Sequence, residues 1–121
     1  MTCTSGNQYS SFWVGIDGYS SNTVEQIGTS SDCNGATPSY YAWVEAYPKF
    51  PSTLKLTIRP GDKINAEVKY TGKNSFTATL TDVTTGKSAS STFKVPSAQR
   101  TSAEWIFEAP SSGSVLPLAN F

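Results

Sequence analysis

Between residues 63 and 82 the chain alternates apolar and polar positions with a period of two. In KINAEVKYTG, Ile64, Ala66, Val68 and Tyr70 alternate with Lys63, Asn65, Glu67 and Lys69, as in a strand with one buried and one solvated face. SFTATLTD repeats the pattern with its threonines outward. Helical periodicity is nearly absent elsewhere, and short β-branched or aromatic runs predict strands over 10–17, 23–28, 39–48, 53–58, 63–71, 75–82, 88–95, 103–109 and 114–120. The separators, among them DGYSSN, PKFPS, TGKN and TTGK, carry turn chemistry. RPGD suits a turn with Pro60 at a corner and Gly61 at positive φ. Many short strands at this spacing predict an all-β protein, an antiparallel β-sandwich of two packed sheets in a single domain, residues 1–121.

Three strands break the one-sided pattern. FWVGID, YYAWVEAYP and AEWIFEA are apolar or aromatic on both faces, with single acids inserted. Such strands lie in a sheet covered on both sides, or in one whose open face binds something. Alternation puts Trp13, Gly15 and Asp17 on one face and Val14 and Ile16 on the other. It likewise separates Val24, Gln26 and Gly28 from Glu25 and Ile27, and Tyr41, Trp43, Glu45 and Tyr47 from Ala42, Val44 and Ala46. One side of each strand is thus small and branched, suited to inter-sheet packing. The other gathers Trp, Tyr, Asp, Gln and Glu, suited to gripping a polar chain molecule. In AEWIFEA, Glu104, Ile106 and Glu108 oppose Trp105 and Phe107. Each acid also has a plainer role open to it: Asp17, before Gly18, as a turn acceptor, and Glu45 and Glu108 as solvated strand residues.

Composition narrows the chemistry. Nine Lys+Arg balance nine Asp+Glu without a basic run, so no charge favours nucleic acid or an anionic membrane as partner. No apolar stretch approaches a membrane span. The chain has no histidine, which excludes Ser-His and Cys-His nucleophiles, His-containing zinc sites and imidazole proton shuttles. Glycine-rich phosphate loops are also missing. An enzyme built from these residues works with carboxylates, amides, hydroxyls and backbone, without a cofactor. Cys3 and Cys33 are the only cysteines. They are either a disulfide, worth roughly 3–4 kcal/mol in the loop-entropy model, or two unrelated thiols. Met1 is followed by TCTSGNQ, which lacks the features of an export signal. The Ser-, Thr-, Gly- and Tyr-rich composition nevertheless reads as secreted, so the expectation is an extracellular protein whose signal is not in this chain.

The strings FWVGIDG, VEQIGTSSDC, SYYAWVEAYP, RPGD, LTDVTTGKS and SAEWIFEAP occur in the order and approximate spacing of the glutamic peptidases, or eqolisins (peptidase family G1). The resemblance covers nearly the whole chain, and WVGIDG, EQIG and SAEWI are specific as a set. It implies a sandwich of two seven-stranded antiparallel sheets and an acid-active endopeptidase with a Gln/Glu dyad. By motif, Gln26 in EQIG matches the catalytic Gln and Glu104 in SAEWI the catalytic Glu. Trp13 and Asp17 in WVGIDG, with Trp43 and Glu45 in YAWVEAYP, match residues lining the substrate cleft. The implied partner is a polypeptide substrate.

Such a pair has a physical logic. An ionised Glu104 takes a proton from water as general base and returns it to the leaving nitrogen. The Gln26 NH₂ donates to the developing oxyanion without titrating. Two departures stand out. Tyr41 occupies a position, two residues before Trp43, where one branch of the family has an acid. The family's domains also extend beyond this chain at both ends, with an N-terminal Trp-Ser-Gly-Tyr-like strand and further strands after the segment matching LPLANF. An incomplete sandwich exposes sheet edges, so the expectation is a homodimer, strand exchange or a second chain completing the sheets. The alternative is a non-catalytic peptide- or glycan-binding module on the same fold.

Overall fold

The computed structural model describes residues 7–108, with the side chains of 9–107. Eight strands follow one another: β1 (Asn7–Ile16), β2 (Val24–Asn34), β3 (Thr37–Tyr47), β4 (Ser52–Leu54), β5 (Ile64–Gly72), β6 (Ser75–Asp82), β7 (Lys87–Lys94) and β8 (Ala103–Glu108). They form a five-stranded sheet in the order β4-β3-β2-β1-β8 and a three-stranded sheet β5-β6-β7, and every pairing is antiparallel. The expected strand at 114–120 and Cys3 lie outside the described residues. Cys33 is buried and disulfide-bonded.

The β5–β6 hairpin shows how local chemistry sets the chain path. Lys73 and Asn74, the two residues between Gly72 and Ser75, both have positive φ, at 52° and 62°. This is the backbone of a type I′ turn, whose twist matches that of the flanking strands. At Arg59–Asp62 the turn closes through Asp62 N–H donating to Arg59 O at 3.2 Å, with Gly61 at φ 86°. Leaving that turn, the chain enters β5 already committed to the second sheet.

The core lies where the two sheets face each other. Ile27, Ala42 and Val44 of the large sheet pack with Ala78 and Leu80 of β6, and Val14, Ile64, Ala66, Val68 and Phe93 surround them. These are the small and branched faces identified by alternation. Ile27 and Leu80 are fully buried, and burial of each such side chain contributes about 1.5–3 kcal/mol. Of the expected strand 53–58 only Ser52–Leu54 pairs, on β3. Leu56 and Ile58 still pack on the core, but from a segment that bends away toward the turn at Pro60.

Among the described residues the second sheet does not extend over β8. On the inner face of that strand Trp105 is 82 % exposed, and Phe107 stacks on Phe12 at 5.6 Å between centroids with both rings partly in solvent. A cavity of about 670 Å³ opens between the sheets there, lined by Phe12, Val14, Ile58, Leu80, Trp105 and Phe107 among others.

Candidate active site

The outer face of the large sheet carries the polar and aromatic residues, and strand register arranges them in rows. Glu45 pairs with Gln26, Gln26 with Gly15, and Gly15 with Glu104. Directly paired residues project on the same side of a sheet, so Glu45, Gln26 and Glu104 stand in one row with a gap at the glycine. Gln26 and Glu104 are thus two strands apart, about 10 Å between their backbones at ordinary strand spacing. The next row is Trp43, Gly28, Trp13 and Ile106.

Both glycines are required by close approach. A Cβ at Gly15 would lie 2.8 Å from Trp13 Cζ3, 3.1 Å from Glu25 O and 3.2 Å from Gln26 Cβ. The Trp13 ring therefore leans across Gly15, bordering the space between the two candidate catalytic residues. A Cβ at Gly28 would meet Phe12 O at 2.2 Å, inside the β1–β2 ladder itself.

Gln26 is 7 % exposed and its Nε2 donates to Glu45 Oε1 at 2.6 Å. A short bond to a carboxylate is the stronger, charge-assisted kind and fixes the amide's orientation. With one N–H so held, the second N–H and the carbonyl oxygen are the groups available for chemistry. A cavity of about 440 Å³ opens on this face, lined by Trp13, Gln26, Trp43 and Glu45, with Asp32 and Tyr41 toward one end. Glu104 lies outside its wall, beyond Gly15. Its Oε1 is buried without a hydrogen-bond partner among the described residues. Burial raises the Glu104 pKa, the Ser102 hydroxyl lowers it and the Asp17 charge raises it again, leaving it above the ordinary carboxylate value.

Asp17 is not where alternation put it. β1 ends at Ile16, and Asp17 has φ 70°, which breaks the strand phase. It is fully buried and lines neither cavity described above. Its N–H donates to Ser102 O at 2.8 Å, and its Oδ1 accepts from Thr101 N–H at 2.9 Å. The residue ties the end of β1 to the segment leading into β8.

Alternation also passed over two features. Tyr41 Oη donates to Asp32 Oδ2 at 2.8 Å, so an acid does face the cavity beside Tyr41, from the adjacent strand. Burial raises the Asp32 pKa against the lowering effect of that hydrogen bond. Glu25, assigned to the packing face with Ile27, is fully buried and in side-chain contact with Asp17. A lone acid among core positions in TVEQIG was the signal, but its partner was not evident from the sequence. Among the described residues no cluster of three or more His, Cys, Asp or Glu could hold a metal ion.

This sandwich, with its Gln and Glu in one row, has the architecture of a glutamic peptidase. Residues 2–121 match the peptidase A4 family, and the chain belongs to it. It is 38 % identical over 117 residues to Aspergillopepsin-2 of Aspergillus niger, a match covering 92 % of this chain and 42 % of that protein. It is 39 % identical over 100 residues to Scytalidopepsin B of Scytalidium lignicola, covering 79 % of this chain and 38 % of that one. The chain thus spans less than half the length of these two relatives. Its fold superimposes on aspergilloglutamic peptidase from Aspergillus niger with a TM-score of 0.84 at 37 % identity, covering 94 % of this chain and 71 % of the other. For scytalido-glutamic peptidase with a peptide-based transition-state analog the TM-score is 0.81 at 31 % identity, covering 97 % and 61 %.

Proposed function

We propose that the chain carries the catalytic row of an acid-active endopeptidase, with Glu104 as general base and Gln26 as oxyanion donor. The observation that supports this best is the shared register partner, Gly15, whose lack of a side chain lets the Trp13 ring wall the space between the two side chains. A water held there lies within reach of both. Glu104 removes its proton as the oxygen attacks a peptide carbon, and the carbonyl oxygen gains negative charge. The free N–H of Gln26 donates to that oxygen, an interaction typically worth about 3–4 kcal/mol in the transition state. The protonated Glu104 then delivers the proton to the leaving nitrogen. Glu45 holds the amide, and Trp13 and Trp43 provide apolar walls for a polypeptide substrate.

The extracellular setting read from composition fits a peptidase acting on unfolded protein at acid pH. The uncovered inner face of β8, with Trp105 exposed, is the surface for further polypeptide to cover, by a second copy, strand exchange or another chain. Light scattering of wild type and Trp105→Ser tests this: the mass of an assembly in wild type supports it, and a monomer in both counts against it. The catalytic reading is tested by cleavage of an acid-unfolded protein by wild type, Glu104→Ala and Gln26→Ala. Loss of at least about 100-fold in each variant is expected. Equal rates in all three, or saturable peptide binding without cleavage by any, would overturn it.

A further inference from the structure

We propose that Asp17 and Glu25 hold a single proton between them, and that this bridge positions the segment 100–102 and through it Glu104. The positioning part rests on the catalytic reading above; the shared proton does not.

Both carboxyl groups are fully buried. Each has one satisfied oxygen. Asp17 Oδ1 accepts from Thr101 N–H at 2.9 Å and Thr101 Oγ1 at 3.4 Å, and Glu25 Oε1 accepts from Thr23 Oγ1 at 3.4 Å. The other two, Asp17 Oδ2 and Glu25 Oε2, are buried with no donor among the described residues. The two side chains nevertheless lie close enough for each carboxyl to shift the other's pKa. Two ionised carboxylates there would leave two uncompensated buried charges and two unsatisfied acceptors. One proton satisfies both oxygens and halves the charge.

The surroundings decide which residue carries it. Burial acts to raise the Asp17 pKa, but the backbone N–H groups of Thr101 and Arg100, together with the Glu25 and Ser21 side chains, lower it overall. Glu25 has its own backbone N–H and the Thr23 hydroxyl as lowering partners, and neither offsets its surroundings. Burial first, then the Asp17 charge, push its pKa up to about 7. Glu25 is therefore the protonated donor and Asp17 the anion. Among the described residues no Lys or Arg side-chain charge contributes to the shift of either acid. Glu25 pairs with Ile16 on β1 and Ala46 on β3. Lys49, past the end of β3, is exposed, and the Arg100 guanidinium lies 3.9 Å from the centre of the Tyr70 ring. Glu104 is the remaining charge, and the Asp17 anion raises its pKa.

The consequence for the site follows from connectivity. Asp17 grips Thr101 and Ser102, three and two residues before Glu104. With Glu25 protonated, Asp17 is held from behind and fixes the entry of β8 against β1. With Glu25 ionised, repulsion acts on Asp17 and loosens that grip. Asp17 and Glu25 are positioning residues in this scheme, since neither lines the cavity.

Glu25→Gln and Glu25→Leu separate the outcomes. The glutamine amide donates to Asp17 at every pH and its oxygen still accepts from Thr23, whereas leucine keeps volume without a donor. The melting temperature of wild type is expected to fall as pH rises from about 4.5 to 7, and that fall is expected to be much smaller in Glu25→Gln. Superimposable profiles would overturn the shared proton. Positioning is read from the Glu104 carboxyl titration by side-chain carbon NMR at a temperature where all variants are folded. Its midpoint is expected to move in Glu25→Leu and to return toward wild type in Glu25→Gln. An unmoved midpoint would overturn positioning. Neither measurement requires turnover, so an inactive chain would refute the peptidase reading without obscuring this test. Where cleavage is measurable, Glu25→Leu is expected to lower kcat about 10-fold or more at near-constant KM, with Glu25→Gln close to wild type at pH 4. Equal kcat values in all three would count against positioning.

Discussion

Gln26 donates to Glu45 across the β2–β3 pair at 2.6 Å, and this bond decides which way the buried amide faces. A hydrogen bond to a charged group is worth about 1.5–3 kcal/mol. Glu45→Leu is therefore expected to lower kcat by about 10- to 100-fold while KM changes little, since the amide loses its orientation rather than its presence. Steady-state kinetics on a chromogenic peptide would check this. A loss confined to KM would assign Glu45 to substrate binding instead.

Gly15 gives the Trp13 ring room to lie over the strand between Gln26 and Glu104. In Gly15→Ala the added methyl meets Trp13 Cζ3 at 2.8 Å and Glu25 O at 3.1 Å. The ring can shift but the backbone oxygen cannot readily do so. Destabilisation of about 1–3 kcal/mol, measured by urea unfolding, is expected together with lost activity. Gly28→Ala is expected to cost more, because its methyl lands 2.2 Å from Phe12 O. Wild-type stability in either variant would show that the β1–β2 pair is looser than described.

Stability is expected to peak at acid pH. Folding lifts the Glu25 pKa from 4.5 to about 7, so its contribution is complete below 4.5 and is lost as pH rises toward 7. The magnitude is of order 3 kcal/mol. The Asp17 pKa falls below 3.8, so its contribution is present above that value and is lost at lower pH. A second buried acid, Asp82, acts in the same direction as Glu25. Its pKa is raised, first by a hydrogen-bond contact with Asp62 and then by burial. Asp82→Asn keeps the oxygen that accepts from Thr85 N–H and removes the clash of charges. It is expected to raise Tm at pH 7 and leave it nearly unchanged at pH 3. A lower Tm at pH 7 would refute this.

Tyr41 and Asp32 form the polar end of the outer cavity. In Tyr41→Phe, Asp32 loses its donor and its pKa is expected to rise further. Because both side chains lie away from the Gln26–Gly15–Glu104 row, the variant is expected to change KM or subsite preference more than kcat. Cleavage-site profiling of a peptide mixture by mass spectrometry would show it. An unchanged profile would remove Asp32 and Tyr41 from substrate recognition.

Much of this protein was legible in the sequence because a strand's faces follow from a period of two. Alternation alone placed Trp43 and Glu45 opposite Ala42 and Val44, and set Ile64, Ala66 and Val68 toward the core. RPGD specified its turn through Pro60 and Gly61. The motifs around Gln26 and Glu104 identified the family before any geometry was known.

Tertiary structure decided what alternation cannot reach. Facing is local, but register is a relation between strands: β1 and β8 meet across about ninety residues of chain, and only their pairing sets Gln26 and Glu104 opposite the same glycine. Leu56 and Ile58 have strand-like neighbours, yet packing on the core takes precedence over extending the ladder. Asp17 is open to two readings from the sequence, in phase with Trp13 or as a turn acceptor before Gly18, because the strand and turn signals overlap in IDG. One positive φ turns it inward to Glu25, where burial of two acids against each other makes a proton part of the structure.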